Sequence, residues 1–154
     1  MNIGIIIHSH TGNTLSVGEK LKDNLNTAGH TAQLERVVAI NEDPNTREII
    51  KLKEIPSLSK YDVIIIGAPV RGFSLSPVMM AYLSQLQTLN GKPVACFVTQ
   101  HFPKPWMGGN RAIKQMKSTI IQKGGTVTGS GIVNWTNKSR EKQITDLIVI
   151  LSRI

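Results

Sequence analysis

A chain of 154 residues is long enough to bury a sizeable core and short enough that a single domain spanning residues 1–154 is expected. No apolar run approaches the roughly 20 residues of a membrane-spanning helix, and no basic stretch followed by a long apolar one opens the chain, so neither a membrane span nor a secretion signal is expected. The net charge is +8 and uneven: residues 1–99 hold nine basic and eight acidic groups, and residues 100–154 hold nine and two. Such a field favours an acidic partner, an anionic face or a polyanion; it also fits a solvated basic surface.

The first predicted strand is the β-branched run Ile3, Ile5, Ile6 and Ile7, apolar on both faces. It leads into Ser9-His10-Thr11-Gly12-Asn13-Thr14 and then an amphipathic helix to Ala28, with Val17, Leu21, Leu25 and Ala28 on one stripe and Gly18 placed for close packing. Strand, loop and helix start together make an anion site. Free amides and the helix dipole point at the ligand, Gly12 lets the backbone approach, and three hydroxyls add neutral donors, a set suited to a phosphate monoester. The same residues also fit a hydroxyl-rich turn capped by Thr11 or Asn13.

Thr31 to Val38 reads as a second strand at a sheet edge. Residues 39–60 show a turn at Asn41–Asn45 and a short helix through Ile49, Ile50, Leu52 and Lys53, ending near Pro56. Tyr61 to Gly67 is the clearest strand. Ser76-Pro77 starts a helix, Ser as N-cap and Pro at the first helical position, that carries Met79, Met80, Leu83, Leu86 and Leu89 inward and stops at Asn90-Gly91. Lys92 to Gln100 is a fourth strand. It contains the only cysteine, Cys96, expected to be a packed thiol, which fits a cytoplasmic protein. A helix from Gly109 or Asn110 to Lys123 turns Ile113, Met116, Ile120 and Ile121 inward. Thr126 to Asn134 is the fifth strand, and Ser139 caps a last helix with Ile144, Leu147, Ile148 and Leu151 on the sheet. Five β-α repeats call for an α/β fold: a doubly wound parallel sheet in three layers.

The segment S-x-T-G-N-T directly after the first strand resembles the FMN-phosphate loop of the flavodoxin family, and the resemblance runs along nearly the whole chain. It implies a flavodoxin-like five-stranded sheet of order 2-1-3-4-5, with FMN as cofactor in the crevice between strands one and three. It also assigns cofactor contacts: Ser9, His10, Thr11, Gly12, Asn13 and Thr14 to the phosphate; Pro69, Val70, Arg71, Gly72 and Phe73 along the flavin ring; Thr99, Phe102 and Trp106 from the loop after strand four. Gly72 would permit a peptide flip toward reduced N5, or serve only as a turn residue. Trp106 would stack or be a surface aromatic between Pro105 and Met107. Family members place a tyrosine among acidic residues in the later loop; this chain has none there and carries Lys104 and Arg111 instead.

The function implied is an electron carrier shuttling between acidic redox proteins as a monomer or weak dimer. The alternative is an FMN-dependent NAD(P)H or quinone oxidoreductase, for which the chain lacks an obvious pocket-forming segment. No catalytic acid or base stands out, and His8, His10, His30 and His101 lack metal spacing. A phosphoacceptor receiver would need acids where His8-Ser9 and Gly67-Ala68 stand. The Cys-x5-Arg, Walker and dinucleotide patterns are absent, and no aromatic-basic motif points to nucleic acid.

Overall fold

A computed structural model describes residues 1–153. Its central sheet joins β1 (Asn2–Ile7), β2 (Thr31–Arg36), β5 (Val63–Arg71), β7 (Pro93–Gln100) and β8 (Thr126–Asn134) in the order β2-β1-β5-β7-β8, all parallel. These are the five expected strands in the expected 2-1-3-4-5 order. Alternation decides the two faces. Ile3, Ile5, Ile7, Ile65 and Phe97 pack under α1 (Asn13–Thr27) and α4 (Arg140–Leu151). Ile6, Ile64, Ile66, Cys96 and Val98 pack under α2 (Pro77–Gln85) and α3 (Gly109–Gln122). Period-two side chains that are apolar on both faces leave such strands no stable place but the centre of three layers. Cys96 is wholly buried, and burial pushes its thiol up to about 12.

The close packing expected at Gly18 is present: a Cβ there would lie 3.1 Å from both Ile7 and Leu34. Ser76 caps α2 as expected, its hydroxyl accepting the Met79 amide at 3.2 Å.

Several local expectations are corrected. Residues 49–53 do not form a helix. Leu52–Glu54 is a short strand, β4, pairing antiparallel with β3 (Val38–Ala39). A run this short cannot nucleate a helix alone, and β3 offers its backbone ready partners. The α2 helix stops at Gln85 rather than at Asn90. The Leu89 and Gly91 amides donate to the carbonyls of Lys123 and Gly124, so the end of α3 holds this segment in a non-helical turn. Leu89 is buried all the same. Ile121 is 62 % exposed, because Ile113, Met116 and Ile120 already occupy the inward stripe and the next residue lies 100° around. Ala28 lies past the last turn of α1 as its exposed C-cap. Ser139 stands at the N-cap of α4, but its side chain makes no capping bond.

Candidate functional site

Three loops meet at the carboxyl ends of β1, β5 and β7. In the first, Gly12 is the N-cap of α1, at φ +95° with nothing within 4 Å of where a Cβ would stand. Neither Thr11 nor Asn13 caps the helix. The left-handed conformation costs glycine little and turns the chain sharply from strand to helix. Ser9 is buried, and its hydroxyl oxygen accepts the Gly12 amide at 3.2 Å and the Leu15 amide at 3.3 Å. The amides of Thr11, Asn13 and Thr14 have no partner among the described residues. Thr11 and Gly12 are exposed and Asn13 is half-buried. The result is an open ring of backbone donors at a dipole's positive end.

The second loop is a tight hairpin. β5 runs past Pro69 and Val70 to Arg71 and pairs back with β6 (Ser74–Leu75), joined by Gly72 and Phe73. Both turn residues have positive φ, +55° and +63°, the pattern of a type I′ turn. Gly72 meets that demand freely; Phe73 does so at a cost of about 1–2 kcal/mol. The start of α3 presses on this hairpin: a Cβ on Gly108 would lie 2.8 Å from Phe73 and from Val70.

The third loop, 101–107, follows β7. Carbonyls hold it down. The Gln100 side chain donates to the Lys104 carbonyl, Asn137 to that of Pro103 and Thr136 to that of His101.

Two contacts tie the loops together. The buried hydroxyls of Thr14 and Thr99 are 2.8 Å apart, joining the first loop's helix to the end of β7. The rings of Phe73 and Phe102 are stacked with centroids 5.7 Å apart and planes 3° from parallel, joining the second loop to the third. Trp106 lies outside this pair, 74 % exposed. Arg71 turns the other way: its guanidinium donates to the Pro44 carbonyl, and with exposed His10 it lines a cavity under segment 41–50.

Thr99→Val removes one hydroxyl at nearly constant volume and leaves that of Thr14 buried without a partner. Urea denaturation is expected to show a loss of about 1–2 kcal/mol. Adding Thr14→Val is expected to restore part of it, since neither polar group then remains.

Some residues around these loops were not legible in the sequence. Arg36, which faces Ile7 across β1–β2, donates to the Ser9 carbonyl at 3.3 Å. His8 is 5 % exposed; its Nδ1 lies 2.6 Å from Ser76 Oγ and its Nε2 3.1 Å from Glu42 Oε1. A carboxylate only accepts, so Nε2 carries the proton, and Nδ1 accepts from Ser76. This polarity is that of a nucleophile, base and acid, but Ser76 is wholly buried and its oxygen also caps α2, so the set holds structure rather than attacking a substrate. Arg36 was findable from strand order. Glu42 was not, because no periodicity marks its segment.

Among the described residues no cluster of metal-binding side chains occurs, and no helix is long and apolar enough to cross a membrane.

A family model described as a flavodoxin domain matches residues 4–123. In fold the chain is similar to flavodoxin 2 of Bacillus cereus, with a TM-score of 0.73 and 19% identity over 99% of this chain and 98% of that one. It is likewise similar to the two-electron reduced flavodoxin of Megasphaera elsdenii, with a TM-score of 0.71 and 21% identity over 99% of each chain. A flavoprotein of Lactobacillus acidophilus, in complex with FMN, gives a TM-score of 0.64 and 17% identity over 92% of this chain and 97% of that one. Comparison with curated proteins finds no match.

Proposed function

The chain belongs to the flavodoxin domain family, and from that premise we propose that it is a single-domain FMN protein carrying electrons between acidic redox partners in the cytoplasm, as a monomer or weak dimer. The observation that carries this reading is the meeting of three loops through the Thr14–Thr99 bond and the Phe73–Phe102 stack.

The residues present fit the cofactor's two ends differently. The phosphate end suits Ser9 to Thr14: donor-rich, uncharged apart from His10, and clear above Gly12. The ring end offers aromatic faces at Phe73 and Phe102. Their 5.7 Å spacing is shorter than the roughly 7 Å that two successive stacking contacts require, so a flat ring enters between them only if the hairpin and the loop move apart.

When bound, FMN supplies one- and two-electron chemistry at its ring. The chain's own residues bind and orient it. The open amides and hydroxyls of Ser9 to Thr14 take the phosphate, and the Thr14–Thr99 bond holds that loop against β7. Pro69, Val70, Arg71, Gly72 and Phe73 form the hairpin side, and Phe102 and Trp106 the opposite one. Rotating the Gly72–Phe73 peptide would convert the I′ turn to II′, in which only the glycine keeps positive φ. The strain at Phe73 therefore lowers the cost of the flip that the resemblance implies at Gly72.

Absorption spectroscopy with added FMN tests the reading: stoichiometric uptake supports it, and no uptake sinks it. Lys104 and Arg111 stand where acidic residues are the family habit. One cation about 10 Å from the ring favours added electrons by roughly 0.4–1.7 kcal/mol, at effective dielectrics of 80 to 20. A midpoint potential for the second electron roughly 20–70 mV less negative is therefore expected for each such cation. Spectroelectrochemical titration of the wild type against Lys104→Gln checks this; an unchanged potential counts against it.

The oxidoreductase alternative gains from one feature. Segment 41–50 does build a cavity, the element that the sequence lacked on its face. Steady-state oxidation of NAD(P)H separates the two readings.

A further inference from the structure

No Asp or Glu stands between Asp62 and Glu141, while nine Lys and Arg do. That run builds both α2 and α3, so these two helices carry cations and no carboxylate. The acids on helices all belong to α1 and α4, across the sheet: Glu19, Asp23, Glu141 and Asp146. Folding leaves the imbalance in place. Arg111, Lys114 and Lys117 of α3 have no hydrogen-bond or ion-pair partner among the described residues. At three-residue spacing on one helix they oppose one another, and no acid on either helix relieves them.

Between α2 and α3 runs an open groove of about 480 Å³. Met80 of α2 lines it, and α3 adds Arg111, Lys114, Ser118 and Gln122. These four recur at three and four residues, so one helix face presents two cations, then a hydroxyl, then an amide. No carboxylate lines the groove. One wall is tied to the β5–β6 hairpin: Gln115 Oε1 accepts the Leu75 amide at 2.8 Å, and Gly108 presses on Phe73 about one turn before Arg111.

The lining favours one class of anion. Base stacking needs aromatic faces, and none lines the groove. Membrane attachment needs apolar side chains that enter the lipid, and Ile121 is the only large one exposed on α2 and α3 among the described residues. A recess with guanidinium and ammonium donors, uncharged polar groups beside them and an apolar contact fits an acidic polypeptide.

We propose that the α2–α3 groove docks an acidic segment of a partner protein, with carboxylates on Arg111 and Lys114. The inference deepens the carrier reading and rests on it for one point, that the partner is a redox protein. A segment seated in the groove lies beside the hairpin that forms one side of the flavin site.

Titration of the isotope-labelled full chain with a blocked oligoglutamate peptide, followed by NMR, tests it. Saturable amide shifts are expected at Met80, Lys114, Ser118 and Gln122, with affinity falling as salt is added. Lys114→Glu is expected to weaken binding about fivefold. Lys20→Glu makes the same charge change on α1, on the opposite face, and is expected to weaken it less than about twofold. Both side chains are exposed, and unchanged core resonances would confirm that both variants fold. No saturable shift, shifts centred elsewhere, or equal weakening by the two variants overturns the proposal. Tighter binding through the same residues by an oligothymidylate of equal charge, or by vesicles of phosphatidylcholine and phosphatidylserine in equal parts, also overturns it. Absorption spectra of the same samples with added FMN separate the two readings. Peptide binding without flavin uptake keeps the docking surface and removes the redox partner; flavin uptake without peptide binding removes the docking surface alone.

Discussion

Gly12→Asp is expected to weaken FMN binding by more than about a hundredfold, at a cost to the fold of about 1 kcal/mol. Gly12 has open space where a Cβ would go, so neither Asp nor Asn meets a clash. Its φ of +95° strains any L-residue by about 1–2 kcal/mol, a cost that Asp and Asn carry alike. At the N-cap of α1 a carboxylate favours the helix by about 0.3–1 kcal/mol. Toward a phosphate the same charge is repulsive. At about 5 Å and an effective dielectric near 20 the cost is about 3 kcal/mol for each phosphate charge, which is more than two orders of magnitude in Kd. Gly12→Asn has the same shape without the charge and is expected to bind within about tenfold of wild type. Flavin fluorescence quenching measures the affinities, and thermal unfolding measures the stabilities. Equal FMN binding by the Asp and Asn variants would mean that the phosphate lies elsewhere.

His8→Ala is expected to destabilise the chain by about 2–4 kcal/mol at pH 7. The substitution empties a buried side-chain volume, takes from Glu42 Oε1 its imidazole donor, and leaves the Ser76 hydroxyl without its acceptor at 0 % exposure. Glu42 also holds the Ala39 amide at 2.9 Å, so the loss extends to the β3 edge and segment 41–50. The pH dependence follows from the same geometry. Burial holds the His8 imidazole below its ordinary value of 6.5, against the opposing pull of Glu42, with His10 and Arg36 adding to the depression. The unfolded chain therefore binds a proton at His8 where the folded chain does not. The stability this neutral imidazole contributes is present above about pH 6.5 and is lost as pH falls through its lower folded value. Urea unfolding at neutral and mildly acidic pH is expected to show the gap between wild type and His8→Ala narrowing on acidification. A gap that widens instead would mean that His8 is protonated in the folded chain.

The site was legible in the sequence to different depths. Ser9–Thr14 stands out because hydroxyls and a glycine follow an apolar strand directly, and each residue's role there depends on neighbours a few positions away. The Gly72-Phe73 turn was legible as a loop but not as a type I′ hairpin. A phenylalanine at positive φ breaks the local preference, and the pairing of β5 with β6, the close approach of Gly108 and the stack on Phe102 hold it there. The Thr14–Thr99 bond spans 85 residues and has no sequence signal. The role of Glu42 was equally hidden, since its segment has no periodicity and takes its form from β3, β4 and the His8 imidazole.

The sequence by itself determined the five strands, the burial of the central ones on both faces and the place of the anion loop. These rest on period-two and period-3.6 apolar patterns and on a glycine-hydroxyl turn, all of which act over a few residues. Only the tertiary structure decided where α2 stops, that residues 52–54 pair as a strand, which aromatic rings meet, and that a cavity opens beside Arg71. A distant partner settled each of these: the Lys123 and Gly124 carbonyls for the end of α2, β3 for β4, Phe102 for Phe73, and the Pro44 carbonyl for Arg71.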